Sequence, residues 1–314
     1  MDVNNKKELL FYYESRQNPN GDPGFENMPR QMPDGTIMVT DVRIKRTIRD
    51  YAKNVLKKTI FVDYDKEGNA VTADGKAKEI LGDLKGDVIS GLIKKTFDVP
   101  LFGALVTIRA NKKEEDSEGA SAKLTGAVQF GLARSTNQVQ IINPTIVGRF
   151  VGKEKEKGQQ FSTFGKFYSV EYALIKAYGA VNPQNLGKYV EDKETKSSFE
   201  EAESNIFECL WNGTNQLITR SKYPQRSIFF LEITYKNEIY NDLSLLVDEK
   251  QEMKDKATSL VDSPLIFEKF LDAVKQRKSE ILKVQVKGCE ELKKDVIALI
   301  KKLNDLGIDV KEIP

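Results

Sequence analysis

Seven consecutive residues, Asn18-Pro19-Asn20-Gly21-Asp22-Pro23-Gly24, all favour turns. No helix or central strand runs through such a segment, because Pro removes backbone donors while Asn and Gly adopt conformations that regular elements exclude. Ahead of it, Leu9 to Tyr13 is rich in strand formers; behind it, Ile44, Ile48, Tyr51 and Val55 recur at helical spacing. The chain must therefore open as strand, long loop, helix. Thr40 stands where an N-cap hydroxyl would accept from free backbone N–H groups, and Asp41 suits the positive end of the helix dipole.

Residues 58–100 read as an insertion, with a polar turn from Asp63 to Gly75 and a helical portion from Lys76 to Thr96 interrupted by Gly82, Gly86 and Gly91. After the segment Leu101 to Arg109 and a charged loop, Ala110 to Lys123, the residues Val128, Phe130 and Leu132 alternate with Gln129, Gly131 and Ala133. That is the period of a strand with one buried face. A second strand is expected at Gln138 to Ile142, a second polar insertion at 149–166, and another strand at Tyr168 to Val181. Ser198 and Glu201 have capping-box spacing and predict a helix through about Thr219, before the hydrophobic strand Ser227 to Tyr235. Two helical stretches, Pro264 to Leu282 and Glu290 to Leu306, complete the chain. Without its insertions, the order to residue 236 is strand, helix, strand, strand, helix, strand, the ferredoxin-like order shared with RNA-recognition motifs. An α+β fold class follows.

Histidine is absent, which removes Ser-His-Asp and Cys-His catalysis and His-ligated zinc together. Cys209 and Cys289 are isolated, so they predict buried thiols and neither a disulfide framework nor a zinc site. No phosphate-loop pattern occurs, and no cofactor is expected. The acidic run Glu114, Glu115, Asp116 and Glu118 lacks the ligand spacing of a hard-cation site and reads as a solvated loop. The N-terminus is polar before the short run Leu9 to Tyr13, which predicts neither a signal peptide nor a membrane span and places the chain in the cytoplasm. A net charge of +2 does not announce a nucleic-acid partner, so only local clusters can.

Three clusters qualify. Arg43, Lys45, Arg46, Arg49, Lys53 and Lys57 occupy much of the helix beyond its apolar face, an arrangement that fits either a phosphate backbone or a solvated surface. Asn18, Asn20 and Gly21 place short amides and backbone N–H groups beside the same helix start, as an anion cradle or as an ordinary loop. In the second insertion, Arg149, Lys153, Lys155, Lys157 and Lys166 interleave with Phe150, Phe161, Phe164, Phe167 and Tyr168. Cations that track phosphates and rings that stack on bases hold a single strand in this way; rings that anchor a hairpin to a core give the same pattern.

The blocks Arg16-Gln17-Asn18-Pro19-Asn20-Gly21-Asp22-Pro23, Glu26-Asn27-Met28-Pro29-Arg30 and Val39 to Tyr51 resemble the N-terminal block of CRISPR-associated Cascade backbone subunits, a branch of the RAMP superfamily. Further matches are Phe97-Asp98-Val99-Pro100-Leu101-Phe102-Gly103, Leu124 to Phe130 followed by Ala133-Arg134-Ser135, and Leu210-Trp211-Asn212-Gly213-Thr214. The resemblance spans about residues 8–236 and is greatest to the type I-B branch, with type I-C next. Pro100 departs from the family, whose members commonly carry Arg before Leu-Phe-Gly.

The resemblance implies a modified ferredoxin-like, RNA-recognition-motif palm (1–58, 100–148 and 167–247), a helical fingers insertion (59–99) and a thumb hairpin (149–166); beyond it, the two helical stretches of the tail make 248–314 a C-terminal helical extension. It implies that copies polymerise along a CRISPR guide RNA (crRNA) with other Cascade subunits and present it to target DNA, without catalysis. The RNA-binding residues expected are Arg16, Asn18, Asn20, Gly21, Arg43, Lys45, Arg46, Arg49, Gln129, Arg134, Ser135, Arg149, Lys153, Phe164, Lys166 and Tyr168. Two alternatives stay open. Related type III subunits cut RNA with an Asp in the loop after the first strand, where this chain has Asp22 and Asp34; a stand-alone RNA chaperone would use the same basic helix without a filament.

Overall fold

In the computed structural model, the described residues are 5–108, 120–148, 163–237, 242–255, 257–262 and 264–314. The principal elements are β1 (Lys7–Ser15), α1 (Asp41–Asn54), α2 (Ala73–Leu81), α3 (Val88–Lys95), β2 (Gly103–Ile108), β3 (Ala120–Thr125), β4 (Val128–Phe130), β5 (Ala133–Ser135), β6 (Thr145–Gly148), β7 (Thr163–Lys166) and β8 (Ala173–Val181). They continue with α4 (Lys193–Ser204), α5 (Ile206–Asn215), β9 (Gln225–Tyr235), α6 (Glu268–Arg277), β10 (Ile281–Gly288), α7 (Lys293–Asp305) and β11 (Val310–Glu312). The α+β class holds. Among the described residues no helix is long and apolar enough to cross a membrane.

β1 lies at the centre of the main sheet, whose order is β11-β10-β9-β1-β8-β5 followed by the short strand Met38–Val39, with β4 also on β8. It runs antiparallel to both neighbours, Lys7 facing Val181 on β8 and Thr234 on β9. Leu9, Phe11 and Tyr13 enter one core while Leu10 and Tyr12 enter another. Burial on both faces explains why this strand reads as a continuous apolar run rather than an alternation.

The first core is closed by α1, α4 and α5, through Ile44, Ile48, Tyr51, Phe199, Ile206 and Leu210. Gly213 permits the close crossing of α1 and α5, since a Cβ there would lie 3.1 Å from the Tyr51 Cβ. The insertion between α1 and β2 has its own core of Phe61, Val88, Ile89, Leu92, Ile93, Val99 and Val106. Asp98 ties it to the sheet domain: fully buried, it accepts from Phe61 N (2.7 Å), Val62 N (3.1 Å) and Arg49 Nε (2.7 Å).

Several expected elements differ. The helical portion Lys76 to Thr96 is interrupted between Gly82 (φ +90°) and Gly86 (φ +69°) as expected, but α3 runs through Gly91 and α2 starts earlier, at Ala73. The helix expected from Ser198 starts earlier, where Asp192 accepts from Thr195 N (3.0 Å), and it breaks at Asn205. Of the strand expected at Gln138 to Ile142, only Ile141–Ile142 pairs, with Ser169–Val170. The largest difference is β10, which begins within the expected helix Pro264 to Leu282 and pairs along β9 from Gly288 opposite Phe229 to Ile281 opposite Tyr235. Val284 and Val286 alternate there with Lys283, Gln285 and Lys287, and the two valines are fully buried. With α6 and α7 they close the second core on Leu10, Phe229, Leu231 and Ile233.

Candidate nucleic-acid interface

The turn-rich loop folds back beside α1. Gly21 pairs with Pro29 and Asp22 with Met28, and Asn18, buried, donates through Nδ2 to Asn27 O. Asn20 Oδ1 accepts from Thr40 N (3.0 Å) and Thr40 Oγ1 (2.8 Å). The Thr40 hydroxyl is therefore spent on the loop and makes no cap bond to α1, contrary to the expected N-cap hydrogen bond. Glu26 and Asn27 adopt left-handed φ of 51° and 60°, reversing the loop at its tip.

Between this loop, the start of α1, the base of the β6–β7 hairpin and the turn before β9 lies a cleft of about 910 Å³. Its lining carries five cations, Arg30, Arg43, Lys166, Arg220 and Lys222, against one carboxylate, Glu26. That carboxylate is engaged: Lys166 Nζ lies 2.9 Å from it and Tyr168 donates to it at 3.1 Å, bonds that hold Glu26 below the usual carboxylate range and Lys166 above the usual lysine range. Among the described residues Arg43, Arg220 and Lys222 form no ion pair. Arg43 is half-buried and donates from Nη2 to Thr47 Oγ1 (3.0 Å), and burial lowers its pKa. Lys222 Nζ donates to Asn18 O (2.8 Å), and burial, then the Arg43 charge, push its pKa down to about 8. The Arg220 guanidinium lies 5.6 Å from the Phe167 ring centroid, forming a flat cationic face suited to a base.

The sequence model of the family described as CRISPR-associated protein Cas7 matches residues 4–269. The chain belongs to the Cas7 family. A relative from Haloferax volcanii, described as CRISPR-associated protein Cas7, is 26% identical over 340 residues, covering 98% of this chain and 96% of its own. A chain of a solved structure titled "CRISPR RNA-guided surveillance complex, pre-nicking" is similar in fold, with TM-score 0.55, 13% identity and coverage of 98% and 96%.

In this Cas7-family chain the expected binding residues separate into groups. Asn18, Asn20, Gly21, Arg43, Lys166 and Tyr168 meet at the cleft. Lys45 pairs with Asp41 (3.0 Å) and Arg46 with Asp50 (2.7 Å), while Arg49 is held by Asp98 and stacks on Phe102 at 4.9 Å. Arg16 donates to Thr258 O (3.0 Å) and lies over the Tyr172 ring. Gln129 is exposed on β4, and Arg134 is bound to Asp34 (2.8 Å). Ser135 is buried, accepting from Ile37 N (2.9 Å) and donating to Asn137 O (2.7 Å). Phe164 pairs through its backbone with Val147. Arg149 and Lys153 lie outside the described residues, as do Lys155, Lys157, Phe150, Phe161 and the acidic run at 114–118.

The sequence reading missed Arg30, Arg220 and Lys222 as binding residues. Arg220-Ser221-Lys222 is a short basic turn bounded by a helix and Pro224, a weak local signal. Only the sheet, which sets the start of β9 beside β1, brings it to the 18–30 loop.

Proposed function

We propose that the chain is a crRNA-binding, non-catalytic backbone subunit of a Cascade complex in CRISPR defence, holding the guide in the cleft beside α1. One observation carries the reading: Arg43, Arg220 and Lys222 converge on one cleft and form no ion pair among the described residues. Folded proteins normally pair half-buried cations such as Arg43 and Lys222, so these two, with the exposed Arg220, fit a polyanion supplied from outside. The ring of Phe167 beside Arg220 adds a stacking face without sequence readout.

The proposal extends to architecture. The order β9-β1-β8-β4/β5, with α1, α4 and α5 on one face, supports the reading of a modified ferredoxin-like, RNA-recognition-motif palm; on this reading residues 59–99 are its fingers and 149–166 its thumb. Copies polymerise along the guide with other Cascade subunits, of a type I-B-like branch, in the cytoplasm, and offer it to target DNA. Catalysis has no part in this reading. Asp22 accepts from Gly24 N (3.0 Å) and faces Arg30, and Asp34 is bound by Arg134 and Thr36, so both loop carboxylates have structural partners.

The test is binding of a single-stranded oligoadenylate, followed by fluorescence anisotropy over a salt series. Arg43→Gln with Arg220→Gln should weaken binding by at least about tenfold and lower the salt slope by up to about 1.4, about 0.7 for each cation lost from a single-strand site. Wild-type affinity and slope in a folded double variant would remove the cleft as the RNA seat. RNA recovered from the same mixtures with Mg²⁺ should be intact; cleavage lost in Asp22→Ala or Asp34→Ala would establish the enzymatic alternative.

A further inference from the structure

The five cations of the cleft are not equivalent. Lys166 is shared with Glu26, Arg30 lies 3.5 Å from Asp22, and Arg220 is exposed over Phe167. Arg43 and Lys222 are drawn into its wall, both half-buried. Lys222 spends one ammonium donor on the Asn18 carbonyl, which leaves two without a protein partner among the described residues. The groups around it come from every wall: Arg43 on α1, Glu26 and Arg30 on the loop, Lys166 and Tyr168 at the hairpin base, and Arg220 on its own turn. Glu26, the one carboxylate, is already held by Lys166 and Tyr168.

We propose that Lys222 is the ammonium that seats a backbone phosphate beside Arg43, and that it takes up a proton from solvent when the phosphate arrives. The proposal rests on the RNA-binding reading and goes beyond it by naming the seat and its coupling to pH. A buried ammonium next to a guanidinium loses hydration and gains a like-charge neighbour, both of which favour the neutral amine. Its pKa, pushed down to about 8, expresses this. A phosphodiester stays anionic throughout this range and favours the ammonium, so occupancy raises the pKa again. The sign follows: bound protein carries more protons than free protein, so affinity is full below pH 8 and falls as pH rises through it. The slope approaches about tenfold per pH unit until the raised pKa of the complex is reached.

The experiment uses the full chain and oligoadenylate, whose bases do not titrate between about pH 7 and 9.5, at constant ionic strength. Wild-type affinity should fall roughly tenfold from about pH 8 to 9.5. Lys222→Arg, which keeps its charge, should bind as well as wild type at pH 7 and show a flat profile. Lys222→Met should bind weakly at pH 7, also with a flat profile. Calorimetry at pH 8 in two buffers of different ionisation enthalpy should register uptake of about half a proton by wild type and none by Lys222→Arg. Equal pH slopes and equal proton uptake in wild type and Lys222→Arg would overturn the coupling while leaving the cleft as the RNA seat. Full affinity at pH 7 in both Arg43→Gln and Lys222→Met would overturn the seat, whereas absence of oligoadenylate binding by wild type at every pH would overturn the RNA-binding reading itself.

Discussion

Arg43 and Arg49 sit on one helix, two turns apart, yet their surroundings give them different work. Arg49 meets a carboxylate with no exposure to water, and among the described residues Asp98 has that guanidinium and two backbone N–H groups to offset its burial. Removing one partner of a buried pair leaves the other uncompensated. Arg49→Ala should therefore lower stability by about 3 kcal/mol, read from the urea midpoint, with the insertion core loosened along with it. A midpoint equal to wild type would show that the pair contributes nothing. By the same reasoning, joint replacement of Lys45, Arg46 and Arg49 by Glu tests folding rather than RNA binding. Arg43 forms no ion pair among the described residues, which is why its substitution bears on ligand.

At the scale of elements, two short sequence blocks far apart in the chain meet backbone to backbone. Gly103, at φ +84°, and Gly126 bracket the β2–β3 ladder, and a Cβ on Gly126 would lie 2.3 Å from both Gly103 N and Leu101 O. No rotamer relieves a clash with main chain. Gly126→Ala should cost at least about 3 kcal/mol, the upper end for overpacking, because the ladder itself must move. Circular dichroism melts would check this, and a variant as stable as wild type would mean that the two segments separate freely. Pro100, the departure from the family pattern, is buried in this same corner and leaves its carbonyl to accept from Ala127 N (3.1 Å). Its place is thus in the packing of the insertion onto the sheet.

For the whole molecule, the decisive region is the C-terminal part, where β10 extends the central sheet and α6 and α7 cover its second face. Without residues 281–314, β9 would become an exposed edge and Leu231 and Ile233 would lose their cover. Such a truncated chain should be insoluble or unfold without a cooperative transition, as followed by limited proteolysis and melting. A soluble truncated protein with a wild-type melting temperature would make this region an appendage after all.

The local elements with short-range signals are legible in the residues alone: β1 from its apolar run, α1 from its spacing, the loop from its turn residues, and β9 from its hydrophobic stretch. Those signals need only the chemistry of neighbouring residues. The sequence also located one wall of the cleft, through Asn18, Asn20, Gly21 and Arg43, and the hairpin base through Lys166 and Tyr168. Which cations are free depends in part on the tertiary fold. Lys45 and Arg46 pair with Asp41 and Asp50 four residues away on the same helix, so those partners are readable from the sequence; Arg49 looks as available as Arg43 in a linear reading until folding brings Asp98 to it from the insertion. Lys222 is the converse: an ordinary lysine in a turn, until antiparallel pairing of β1 with β9 carries it to the Asn18 carbonyl, where burial and Arg43 change its chemistry.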